Sequence, residues 1–152
     1  MKKKKSNGFT LIELMIALLA GTFILLASAS ALIAGQTSLN RAFQKVELQR
    51  QGANVMLLLS HTIKMGSSAQ VDEQGKTLTI HRNTGWVQFA CNENNDLVTQ
   101  VEGGALQTII DNSVESLRFT VLNNKVEIDL RLKQNNMKTY FSSTVMLRNC
   151  WN

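Results

Sequence analysis

One carboxylate, Glu13, lies near the start of a run that is otherwise apolar. The run extends from Phe9 to Gly35, and no charged residue occurs between Leu14 and Asn40. A charged side chain at the centre of a bilayer costs roughly 2.5–3.5 kcal/mol, although it costs less near the interface. Carboxylates inside spanning helices therefore usually have a function, and Glu13 is the first candidate functional residue.

The apolar run is long enough to cross a membrane, which takes about 20 residues. Ala27-Ser28-Ala29 has the small residues of a signal-peptide cleavage site. However, the apolar core of a signal peptide is only about 7–15 residues long. The run is preceded by four basic residues, which favour a cytoplasmic N-terminus: Lys2, Lys3, Lys4 and Lys5. We therefore expect a single membrane span with a cytoplasmic N-terminus and the head on the other side of the membrane.

The segment Gly8-Phe9-Thr10-Leu11-Ile12-Glu13, after its four lysines, resembles the leader of type IV prepilins and type II secretion pseudopilins. The resemblance implies that the lysines belong to a leader that a prepilin peptidase removes between Gly8 and Phe9. It also implies N-methylation of Phe9 and a role for Glu13 in docking to other pilin subunits.

The chemistry of such docking follows from the spacing. Cleavage creates a chargeable amine on Phe9, and Glu13 lies four residues along, about one helical turn. A carboxylate and an ammonium attract strongly in low dielectric, and a buried charge without a partner is costly. The amine of an incoming subunit would relieve that cost. The alternative is that Glu13 pairs with the amine of its own chain.

The helical pattern continues beyond the span, to about Met65. Gly66-Ser67-Ser68 then ends the helix. We expect the second half of the helix to pack an apolar stripe on a sheet, with residues recurring near periods of three and four: Leu39, Phe43, Val46, Ala53, Met56, Leu57 and Ile63.

The rest of the chain alternates between apolar and polar residues, which predicts β-strands separated by turns. Residues 77–82, 86–91, 96–101 and 126–133 show the pattern, and shorter stretches near Leu117 and Phe141 share it. A long N-terminal helix followed by an antiparallel sheet is an α+β fold of pilin type. The expected domains are a leader (1–8), a transmembrane or filament-core helix (9–36), its amphipathic continuation (37–65) and a periplasmic β-sheet head (66–152).

The net charge of +5 reflects the leader rather than the head. Residues 9–152 hold 12 basic and 11 acidic side chains, so nucleic acid is not expected as the main ligand. Residues 72–115 are mostly acidic, and residues 116–152 are mostly basic.

Two cysteines, Cys91 and Cys150, occur without a CxxC or Cys/His cluster. In an oxidising periplasm they would form a disulfide, which resembles the way many pilins fix their C-terminal region. The alternative is two unrelated thiols.

No motif predicts an enzyme, a metal site or a cofactor. His61 and His81 are isolated in sequence. Asn92, Asn94 and Asp96 alternate as calcium ligands do, but the glycine and the distal glutamate of an EF-hand loop are missing, which favours a polar turn.

The head is most similar to PilW-type minor pilins and the J-type minor pseudopilin, through Asp111–Phe119 and Val145–Asn149. Major pilins often carry a proline in the apolar helix, whereas this chain contains none. The resemblance implies a minor pilin or pseudopilin that takes part in assembly, in a priming or tip complex. One alternative is a tip module that binds DNA, a surface or a secreted substrate. The other is a single-span periplasmic protein with an uncleaved anchor.

Overall fold

The computed structural model describes residues 9–148, and the chain divides after Phe43 into two compact units. One helix, α1, runs from Leu11 to Lys64. Eight strands follow it in the second unit: β1 Ser68–Val71, β2 Thr77–Arg82, β3 Gly85–Cys91, β4 Leu97–Val101, β5 Gln107–Ile110, β6 Val114–Leu122, β7 Lys125–Gln134 and β8 Met137–Met146. The predicted α+β fold, a long N-terminal helix packed on antiparallel sheet, is confirmed.

The strands form two antiparallel sheets rather than the one sheet that the sequence predicts. Sheet A has the order β1-β2-β3-β4-β5, and sheet B has the order β6-β7-β8. The division follows Ile110, where Asn112 has a positive φ of 43° and interrupts the extended chain. Short β1 and β5, which the alternation does not reveal, complete the edges of sheet A.

Asparagines shape the two hairpins of sheet B. Only two residues separate the paired Leu122 and Lys125, and only two separate Gln134 and Met137. The first residue of each turn, Asn123 or Asn135, has a positive φ of 56° or 55°. Two-residue hairpins favour such turns, and asparagine tolerates the left-handed conformation better than most residues.

A single apolar core lies between α1 and the two sheets of the second unit. The helix contributes Leu48, Val55, Leu59 and Ile63. Sheet A adds Leu78, Ile80, Val87 and Phe89, and sheet B adds Phe119, Val126, Ile128, Leu130 and Leu132. Each of these side chains is almost fully buried.

The buried face of the helix is not the predicted stripe. Of the residues expected on the sheet, Ile63 is buried, but Val46 and Leu57 are 61% and 73% exposed. The helix carries a second apolar stripe through Leu48 and Val55, and the sheets cover that one. Both stripes satisfy helical periodicity, so the pattern alone could not decide between them.

Gly52 lies where the buried face of the helix meets β8. It lies on the buried stripe, and a methyl group at its Cα would overlap the ring of Phe141 on β8. The ring of Phe141 therefore occupies the space that a side chain at position 52 would need.

We expect Gly52→Ala to destabilise the head by about 1–3 kcal/mol, the usual cost of overpacking a core. Alanine raises helix propensity, so any loss must come from Phe141. Asn54→Ala, on an exposed position of the same helix turn, is the control. The measurement is urea unfolding of the full chain in detergent, and equal midpoints for the two variants would contradict the close approach.

Candidate functional site

The helix begins with a capping box. Thr10 precedes the first helical residue, and its backbone N–H and its hydroxyl both donate to Oε2 of Glu13, each at 2.9 Å. In return, the backbone N–H of Glu13 donates to Oγ1 of Thr10 at 3.3 Å. This reciprocal pattern satisfies backbone donors that the first helical turn leaves without partners.

The side chain of Glu13 therefore has a hydrogen-bond partner within its own chain, Thr10. Pairing of Glu13 with the amine that cleavage would create on Phe9 stays a prediction. Phe9 lies beside the cap and is 83% exposed. The positive end of the helix dipole also favours a carboxylate in the first turn. Gly8 and the four leader lysines lie outside the described residues.

The first half of α1 presents apolar side chains on all sides. Phe23, Leu25 and Leu32 are 68–70% exposed, and the described residues up to Phe43 contain no buried residue. Within this stretch the hydroxyls of Thr22, Ser28, Ser30 and Thr37 donate to backbone carbonyls three or four residues earlier. By length and composition, this helix is able to cross a membrane.

Comparison with protein families identifies the same segment. Residues 3–29 match the model of the prokaryotic N-terminal methylation motif. The matched segment includes Gly8, Phe9 and Glu13, and it fits the leader of a type IV pilin or pseudopilin precursor. The methylation motif covers the anchor and leaves the head unmatched. The comparisons with curated proteins and with solved structures returned no match.

Sequence reasoning missed the role of Thr10. The signal was present, because a Ser or Thr followed three residues later by a Glu, just before an apolar run, is the sequence pattern of a capping box. The match to a leader motif drew attention to Gly8, Phe9 and Glu13, whereas Thr10 supplies every hydrogen bond described for Glu13.

Cys91 ends β3 and is partly buried. Its Sγ lies 3.7 Å from the carbonyl oxygen of Asn92, and burial raises the pKa of the thiol. Cys150 lies outside the described residues, so their pairing stays a prediction.

Asn92, Asn94 and Asp96 lie in the turn between β3 and β4. The side-chain oxygens of Asn92 and Asp96 accept hydrogen bonds from other groups of the protein. Oδ1 of Asn92 accepts from the backbone N–H groups of Asn94 and Asp96, at 3.0 and 2.8 Å. Asp96 accepts from the side chain of Asn92 and from the backbone N–H of Asn112, at 2.8 and 2.7 Å. These bonds fix the β3–β4 turn to the segment that follows β5.

Neither histidine is part of a metal centre in the described chain. His61 is exposed in the last turn of α1, and His81 lies on β2 opposite Trp86. Within residues 9–148, no group of three or more His, Cys, Asp or Glu side chains could hold a metal ion.

The outer face of sheet B carries most of the charged and aromatic contacts of the head. Tyr140 donates to Asp129 at 2.6 Å, and the guanidinium of Arg131 lies 5.5 Å from the centre of the Tyr140 ring. Lys138 pairs with Glu115. A concavity of about 640 Å³ here is lined by three cations, Lys76, Arg118 and Arg131, and by three acids, Glu93, Glu115 and Asp129.

The two sheets differ in charge. Residues 68–110, which span sheet A, hold five acids and two bases, whereas residues 114–148, which span sheet B, hold three acids and six bases. The acidic and basic halves of the sequence therefore correspond largely to the two sheets.

The lowered pKa values of three carboxyl groups predict that acid destabilises the head. The backbone N–H of Asn112, with the amide of Asn92, lowers the pKa of Asp96 below its ordinary value. Lys138 lowers the pKa of Glu115, and the Tyr140 hydroxyl lowers the pKa of Asp129. A lowered pKa in the folded state stabilises the fold above the ordinary carboxyl values of about 3.9–4.3. That contribution is lost as the pH falls through the lowered values.

We therefore expect the urea midpoint of the head, followed by tryptophan fluorescence, to fall between pH 5 and about pH 2. Asp96→Asn should flatten this fall, because one of the three titrating groups is gone. Glu127→Gln, which removes an exposed carboxylate of β7, is the control. A midpoint independent of pH over this range would contradict the prediction.

Proposed function

We propose that the chain is a minor pilin or pseudopilin that takes part in assembling a type IV pilus or type II secretion pseudopilus, in a priming or tip complex. The observation that carries the proposal is the match of residues 3–29 to the methylation motif, with Glu13 held at the helix start. The exposed apolar half of α1 and the pilin-like α+β head support it.

In this proposal the prepilin peptidase removes residues 1–8 on the cytoplasmic side, and Phe9 is then N-methylated. The four lysines hold the leader in the cytoplasm by the positive-inside rule. The apolar half of α1 anchors the chain in the inner membrane, and the head lies in the periplasm. Other major and minor pilins are the partners during assembly.

Glu13 is proposed as the docking group for the Phe9 amine of a neighbouring subunit. Its position in the capping box adds a physical requirement, because Oε2 already accepts two hydrogen bonds from Thr10. An ammonium can bind the carboxylate while both hydrogen bonds from Thr10 remain, since an ionised carboxylate has about four acceptor sites. Docking then adds a charge pair without breaking the helix start.

The lack of proline in the whole chain supports a minor rather than a major subunit, because major pilins often have one in the apolar helix. A structural, non-enzymatic role agrees with the methylation motif.

A tip binding module has one observation in its favour, the 56% exposed Tyr140 beside Arg131. However, the concavity beside Tyr140 is lined by as many carboxylates as cations, which favours the structural role over binding. Trp86 lies on β3, and Trp151 lies outside the described residues.

Processing is tested by the mass of the membrane-extracted chain. We expect a mature protein that begins at N-methyl-Phe9, and we expect Gly8→Ala to retain the leader. An intact Met1 would favour an uncleaved anchor, and a terminus beyond Ala27 would favour an ordinary signal peptide. Either result would exclude a prepilin.

Two variants distinguish the charge of Glu13 from its part in the capping box. Glu13→Gln keeps a capping side chain but removes the charge, since glutamine also serves in capping boxes. Thr10→Val removes the hydroxyl and keeps the charge. If docking needs the charge, Glu13→Gln should be processed normally and be recovered in filaments at a tenth of the wild-type level or less, whereas Thr10→Val should assemble. Normal assembly of Glu13→Gln would leave Glu13 with a capping role alone.

The disulfide between Cys91 and Cys150 is proposed for the exported protein. It would close a loop of about 60 residues. In the chain-entropy model, this closure stabilises the fold by roughly 4 kcal/mol at most. Alkylation of the denatured, non-reduced protein should label neither cysteine, and the mass should be two protons below that of the reduced chain. Two labelled cysteines would exclude the bridge.

A further inference from the structure

Strand β8 has a long edge with no strand beside it. It pairs with β7 at ten consecutive positions, from Lys125↔Met146 to Gln134↔Met137, without a register shift. Nothing in residues 9–148 pairs with its other side. About half of its backbone N–H and C=O groups therefore point away from β7, in the pattern that an incoming strand would need.

The other three edges are protected in ways that natural sheets commonly use. Edge strands β1 and β5 have only four residues each, and the pairing of β5 is interrupted by a register shift. The edge of β6 is covered by turns of sheet A, because Phe119 donates to the Gly75 carbonyl at 2.7 Å and Val114 donates to that of Asn95 at 3.0 Å. By contrast, β8 has no proline, no bulge and a single charged residue, Lys138.

A groove lies at the C-terminal end of β8. We call it the β8 groove, and its volume is about 660 Å³. It is bounded by Ser60 and Lys64 of α1, by Asn124, and by residues 143–148. A strand added to β8 would lie about 4.8 Å from it.

The charged residues that line the β8 groove indicate what kind of segment would bind there. Lys64 and Arg148 line it, and no carboxylate of the described residues does. Exposed Met146 offers apolar surface beside these cations. An extended segment with alternating apolar side chains and a carboxylate near Lys64 and Arg148 matches these features.

We propose that β8 accepts such an acidic, extended segment from a partner subunit by strand addition, in which main-chain hydrogen bonds supply affinity and side chains supply specificity. This inference rests on the proposed function, because it assigns a surface to assembly with other pilin-like subunits. It concerns the head alone and is separate from the Glu13 contact at the helix start.

The test uses the full chain in assembled filaments, with a benzophenone amino acid in place of Ser143. Irradiation should crosslink the chain to one segment of a partner subunit, and peptide mass spectrometry should place a carboxylate within a few residues of the crosslink. Lys64→Glu should lower the yield at least tenfold. Lys133→Glu, the same charge reversal on β7 away from the groove, should leave the yield unchanged.

Hydrogen exchange distinguishes strand addition from side-chain docking. In filaments, alternate amides of residues 137–146 should exchange at least tenfold more slowly than in the detergent-extracted chain, because only alternate N–H groups face the new strand. Uniform protection, or none, would overturn the proposal. A crosslink to a second copy of this chain or to residues 149–152 of the same chain would overturn it as well.

The mature mass, measured on the same samples, separates this inference from the proposed function. A mature chain in filaments without a crosslink at Ser143 overturns strand addition and leaves the pilin function standing. A chain that keeps its leader and never enters filaments overturns both.

Discussion

The head depends on one helical stripe that serves two sheets. Leu48, Val55, Leu59 and Ile63 pack into a core that both sheets share. The sheets do not join through a strand ladder in the described chain, and the contacts between them include only a few backbone bonds, such as that from Phe119 to Gly75. The buried stripe of α1 and the inner faces of both sheets therefore share one apolar core. A change that weakens this stripe affects the whole head, because each sheet uses the helix as its second layer.

At its N-terminal end, α1 carries the charged side chain of Glu13 within an apolar segment. A carboxylate in an apolar segment needs compensation, and Thr10 and the helix dipole provide part of it. The single chain can therefore carry Glu13 into a membrane at a lower cost than an isolated charge in mid-helix would impose.

The sequence predicted the fold class because periodicity changes sharply along the chain, from the charge-free run before Arg41 to the strict alternation of Val126, Ile128 and Leu130. It did not predict which stripe of α1 is buried, because that depends on the close approach of Phe141 to Gly52, two residues far apart in sequence. The separation into two sheets was also not predicted, because the alternation of residues does not reveal the positive φ of Asn112 between the sheets. At the helix start, Glu13 was found by its charge, whereas Thr10 was missed because an ordinary threonine stands out only when the local hydrogen bonds are considered.

The unequal charges of the two sheets have a consequence at distances beyond contact. An acidic sheet A and a basic sheet B give the head an electric dipole, although residues 9–152 are nearly neutral. A neutral molecule with a dipole is turned by a charged neighbour before the surfaces touch, which favours some encounter orientations over others. Salt limits this orientation to separations of about 8–10 Å at physiological ionic strength.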